Sequence, residues 1–175
     1  MPSLFQRCAD RAPVLAIILL LVAATPRAGR AAPAPTPADP YLAAAARHHV
    51  PVELLAAVAG AESGYHPWAL NIHGHEIYCR SKDEALRLLA GTDDVDIGLM
   101  QINWPFWGPR LGISKTELLD PRINLMMGAR ILRQMLARGG NVWRRISDYH
   151  SGSPQRRDRY NQLVYSAYLH YLNRR

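Results

Sequence analysis

The chain has 175 residues, 49% of them hydrophobic, which is enough for one domain with a real core. Its formal net charge is +7, and residues 1–31 carry +3 of that, leaving +4, an excess too small to single out a nucleic-acid partner. Of the two cysteines, Cys8 lies within that leader and only Cys79 lies beyond it, which excludes an internal disulfide and a Cys-rich metal site.

The first 13 residues carry Arg7 and Arg11, and VLAIILLLVAA then runs apolar for 11 residues before the small-residue stretch TPRAGRAA. That order of charged, apolar and small segments is the pattern of an export signal, and 11 residues are too few to span a bilayer comfortably. Residues 1–31 are read as the signal, with Ala24, Ala28 and Ala31 as candidate cut sites, and the mature protein is expected in the periplasm. A membrane-anchored form is the alternative. Residues 32–39 are a Pro/Ala linker with little to bury, and the domain is expected over 40–173.

Asp39-Pro40 has the cap-plus-proline spacing that opens a helix, YLAAAARHH. Pro51 opens a second, VELLAAVAGAES, with Glu62 on its exit. NIHGHEIYCRS breaks the helical pattern and suits a small hairpin near 71–80. Ser81 to Glu84 and Ser114 to Glu117 have capping-box spacing. IGLMQIN reads as a brief helix with Asp96 as its cap. Asp120-Pro121 starts the long helix RINLMMGARILRQMLAR, whose stripe is drawn through Ile123, Met127 and Ile131. Helices around VWRRISDYH and DRYNQLVYSAYLHYL complete a compact all-α domain with room for one small hairpin. Cys79 is read as a free, partly buried thiol. The His residues lack zinc spacing: His48-His49 diverge on a helix, and His73-Gly74-His75 has no further ligands nearby. No metal and no cofactor are expected.

Four separated pieces then combine: Glu62-Ser63-Gly64, Gly98-Leu99-Met100-Gln101-Ile102-Asn103, Asn124 to Ala129, and Tyr149-His150-Ser151-Gly152 ahead of Tyr160. In this order and spacing the chain resembles the soluble lytic transglycosylases, whose fold is like that of goose-type lysozyme. The resemblance covers nearly all of 40–172, and it places the domain in the lysozyme-like α+β superfamily. It implies Glu62 as the single catalytic acid with Ser63 beside it in the cleft. Gly98, Met100 and Gln101 are implied in the substrate groove, with Met near the acid and Gln bonded to sugar. Tyr149 matches the first residue of the family's Tyr-Asn-Ala-Gly motif, and Tyr160 a tyrosine whose hydroxyl points at the acid. Here His150 and Ser151 replace Asn and Ala, as in members serving secretion and conjugation machines. An imidazole can hydrogen-bond as an amide does, and it can also titrate, so contact with substrate and contact with the loop backbone both stay open for His150.

Glycosidases ordinarily use two carboxylates. The motif set offers one, and the resemblance implies how one suffices. Glu62 protonates the oxygen between N-acetylmuramic acid and N-acetylglucosamine, the substrate's N-acetyl oxygen attacks the anomeric carbon, and Glu62 then deprotonates the C6 hydroxyl to close a 1,6-anhydro ring. An apolar helix end suits this, because poor hydration keeps a carboxyl protonated. The expected partners are peptidoglycan strands and the components of a secretion, pilus or conjugation apparatus, with no nucleic acid and a monomeric state. A hydrolytic lysozyme, with Asp96 the first suspect for a base, and a non-catalytic glycan-binding assembly protein are the rivals.

Overall fold

The computed structural model describes residues 39–150 and 154–173, apart from the side chains of His150 and residues 154–156. The expected signal, the linker up to residue 38, Ser151 and Gly152 lie outside the described residues.

Helix α1 (Pro40–His48) starts where Asp39 accepts from the Tyr41 N–H at 2.7 Å. Helix α2 (Val52–Ser63) follows Pro51 and ends at Gly64 in the left-handed region. Its six consecutive residues Leu54 to Ala59 are all buried, so α2 is a central helix that needs no polar face. Small side chains along it allow close approach of its neighbours. α2 packs most extensively on α8 (Pro154–Leu172), and α1 packs on α6 (Pro121–Leu136).

The expected hairpin is present as β1 (Ala69–Ile72) and β2 (His75–Tyr78), joined by His73 and Gly74, both at positive φ as a two-residue turn requires. It is half of a larger sheet. The stretch expected as a brief helix is instead a second hairpin, β3 (Val95–Ile97) and β4 (Ile102–Asn103), around the turn Gly98 to Gln101. The four strands are antiparallel in the order β2-β1-β3-β4. The helix reading failed because Gly98 and Gln101 both adopt positive φ, which no α-helix accommodates. Asp96 is therefore a strand residue rather than a helix cap.

Between the hairpins lies α3 (Lys82–Leu89), and after them α4 (Trp104–Leu111), α5 (Lys115–Leu118), α6 and α7 (Val142–His150). Ser114 and Glu117 form both arms of a capping box. At Ser81 only one arm forms, because Glu84 accepts from the N–H of Arg80 instead. The buried seam of α6 runs through Asn124, Gly128, Ile131, Leu132 and Met135, and Ile123 and Met127 sit at its margin. Cys79 is free and fully buried, more deeply than expected. Among the described residues, no helix is long and apolar enough to cross a membrane.

Candidate active site

The last turn of α2 brings Glu62 to a cleft of about 510 Å³, lined also by Gln101, Tyr149 and Tyr160 and by the sheet residues Asn71, Glu76, Asp96 and Asn103. Tyr160, on α8, donates its hydroxyl to Glu62 Oε1 at 2.7 Å across 98 residues of sequence. Burial pushes the Glu62 carboxyl up from 4.5 to about 8; the Tyr160 hydrogen bond opposes the rise and the charge of Asp96 adds to it. Desolvation wins because a carboxylate at the end of an apolar helix loses its water. At neutral pH this carboxyl is mostly protonated and can give up a proton. A Tyr160 hydroxyl bonded to Oε1 then steadies the carboxylate that remains.

The turn from Gly98 to Gln101 is held from three sides. Asn124, fully buried on α6, accepts from the Met100 N–H at 2.8 Å and donates to the carbonyls of Ile97 at 2.8 Å and Leu118 at 3.0 Å. Ser63 Oγ lies 2.9 Å from Leu99 O and 3.2 Å from Ala59 O, so its one proton ties α2 to the turn. Tyr149, on α7, donates to Met100 O at 2.9 Å. Burial and the nearby Glu62 hold the Tyr149 and Tyr160 hydroxyls well above the ordinary phenol range, so both remain donors at any physiological pH.

Several residues expected to touch substrate are placed elsewhere. Ser63 and Met100 are buried, and neither they nor Gly98 lines the cleft. Met100 packs against Gly128, where any Cβ would collide with its side chain. Gly98, at φ 77°, lies against the Asn124 amide. These three shape the turn. Gln101 does line the cleft, but its amide nitrogen is committed to the carbonyls of Gly98 at 2.9 Å and Ala69 at 3.1 Å. Tyr149 lines it too, with its hydroxyl turned to Met100. The side chain of His150 lies outside what the structure describes.

Asp96 was misread from the sequence and Asn71, Glu76, Arg159 and Leu163 were missed; all five line the cleft. Asp96 sits opposite Asn103 in the ladder and accepts from its Nδ2 at 2.8 Å. Asn103 Oδ1 in turn accepts from the Phe106 N–H at 3.1 Å, capping α4. The capping position of Asn103 ahead of Trp104-Pro105 was a legible signal; the pairing that aims its amide at Asp96 was not. Among the described residues, no group of three His, Cys, Asp or Glu is placed to hold a metal ion. His73 pairs instead with Asp94 at 3.1 Å.

A sequence model of the family described as "Transglycosylase SLT domain" matches residues 39–167. Among curated proteins, "Invasion protein IagB" of Salmonella typhimurium is 36% identical over 139 residues, 75% of this chain and 76% of that protein. "Protein IpgF" of Shigella flexneri is 27% identical over 160 residues, 87% of this chain and 89% of that protein. No solved structure matches the chain.

Proposed function

Because the chain belongs to the transglycosylase SLT domain family, we propose that it is a lytic transglycosylase that cuts the β-1,4 bond from N-acetylmuramic acid to N-acetylglucosamine in peptidoglycan. The observation that carries this reading is Glu62, a carboxyl raised to about 8 at the edge of a 510 Å³ cleft. Its proton passes to the glycosidic oxygen as the C1–O bond breaks. The N-acetyl oxygen of the muramyl sugar bonds to C1 and holds the intermediate. The Glu62 carboxylate then takes the proton from the C6 hydroxyl, O6 bonds to C1, and the N-acetyl oxygen leaves. Glu62 ends protonated, ready for another cycle. Tyr160 favours the carboxylate half of that cycle through its bond to Oε1.

Asp96 supports a second reading. Its place in the same cleft puts a second carboxylate on the sheet side, and a water activated there would give hydrolysis. The two chemistries leave different ends. Mass spectrometry of muropeptides released from purified sacculi is expected to show 1,6-anhydromuramyl ends, and folded Glu62→Gln is expected to clear sacculi about a hundredfold more slowly or worse. A digest dominated by borohydride-reducible muramyl ends would make the protein a hydrolase, with Asp96 the first suspect for its base. Wild-type clearing by Glu62→Gln would remove Glu62 from the chemistry.

In the cell, this reading makes it an exported periplasmic enzyme that opens the wall locally for a secretion, pilus or conjugation machine. The signal-like leader and the relative named as an invasion protein support that setting.

A further inference from the structure

The cleft has sides of different electrical character. The strand register places Glu76 opposite Asn71, Asn71 opposite Asp96 and Asp96 opposite Asn103, a row that crosses all four strands. All four line the cleft, so the sheet side presents two carboxylates alternating with two amides. The helix side is α8, which contributes Arg159, Tyr160 and Leu163. Arg159 and Leu163 are four residues apart and share one ridge of that helix. Among the described residues that line the cleft, Arg159 is the only Lys or Arg. It is exposed, and the next residue is fixed to the catalytic acid by the 2.7 Å bond from Tyr160.

We propose that Arg159 is a specificity residue that binds a carboxylate carried at the 3-position of the substrate's muramyl sugar. The inference rests on the peptidoglycan reading and deepens it. The two sugars of the strand differ at that position: the muramyl ring bears a lactyl ether there and the glucosamine ring a hydroxyl. The lactyl group ends in a free carboxylate, or in an amide to a stem peptide that has carboxylates of its own. Either anion is repelled by Glu76 and Asp96 on the sheet side and attracted to the guanidinium on the helix side. The planar fork of Arg matches a carboxylate bidentately, which fixes direction as well as position. Because Arg159 and Tyr160 are adjacent on one rigid helix, a carboxylate caught by Arg159 sets which ring lies over Glu62. Arg159 thereby chooses the muramyl-to-glucosamine bond over the reverse linkage, which is otherwise chemically similar.

The test is the affinity of the full mature chain for soluble glycan strands, native or with their carboxylates amidated by carbodiimide. Wild type, Arg159→Gln and Arg159→Lys are compared. Arg159→Gln is expected to bind native strands about threefold more weakly, the scale of an exposed ion pair, and amidated strands no worse than wild type does. Arg159→Lys is expected to recover part of the loss, since it keeps the charge without the fork. Strands stripped of stem peptides separate the two sources: an Arg159 effect that persists there identifies the lactyl carboxylate, and one that vanishes identifies the stem. Equal weakening on native and amidated strands, or none on either, would overturn the proposal. Charge-dependent binding without anhydro product would sink the transglycosylase reading and leave Arg159 standing. Anhydro product with charge-independent binding would do the reverse, and no strand binding at all would overturn both.

Discussion

Glu62 is costly to the fold in its carboxylate form. Its folded value of about 8 stands above the ordinary 4.5, so its contribution to stability is fully present below about 4.5 and is lost as pH rises through about 8. The same shift sets the working range of an acid that must start protonated. Sacculus clearing is expected to hold across neutral pH and to fall as pH rises through about 8, and Asp96→Asn is expected to move that alkaline limb downward. The direction follows from removing a negative charge that raises Glu62. The displacement stays small because desolvation, the larger cause, is untouched. An alkaline limb that stays put or moves up in folded Asp96→Asn would show that the two carboxyls do not sense each other. Glu62→Gln carries no charge to desolvate, and a thermal melt should find it stabilised relative to wild type above about 8 and not below about 4.5.

At the scale of elements, the Gly98 to Gln101 turn is a loop made rigid by its neighbours. Three helices reach it: α2 through Ser63, α6 through Asn124 and α7 through Tyr149. Asn124 alone satisfies one N–H and two carbonyls while wholly buried. Asn124→Ala strips all three groups of their partner in a place water does not reach. A loss of about 2–4 kcal/mol in urea unfolding is expected, with activity reduced even where the protein remains folded. Asn124→Asp should be no better, because a carboxylate cannot donate to Ile97 O and Leu118 O. A variant within 0.5 kcal/mol of wild type, roughly the noise of a surface change, would mean that the turn holds itself. Gly128 belongs to the same device: it lets Met100 press onto α6, so the turn is clamped from below as well as at its sides.

At the scale of the molecule, two helices that differ in character hold the acid in place. α2 is buried on nearly every side and fixes Glu62, and α8 packs along it and delivers Tyr160, Leu163 and Arg159 to the cleft. The sheet supplies the cleft's polar side. The family model begins at Asp39. N-terminal sequencing of periplasmic protein is expected to find a mature start between residues 25 and 33; a full-length cytoplasmic product would contradict the export reading.

The sequence by itself determined the helices that carry local caps, and it singled out Glu62 as the candidate acid. Asp39-Pro40, Ser114 with Glu117, and Asp120-Pro121 are local devices, and each caps a helix where its spacing says it should. Glu62 was legible because a lone acid at the exit of an apolar helix is a local anomaly, and because GLMQIN accompanies it. Tertiary structure decided the rest of the site. Asn71, Asp96 and Asn103 fall in one row only because β1 pairs with β3 and β3 with β4, a register set by long-range hydrogen bonds and carried by no local periodicity. The turn that looked helical is one because Asn124, Ser63 and Tyr149 meet its backbone from separate helices. The same packing turned Ser63 and Met100 from expected substrate contacts into supports, since a buried hydroxyl or thioether follows whichever neighbours fold onto it.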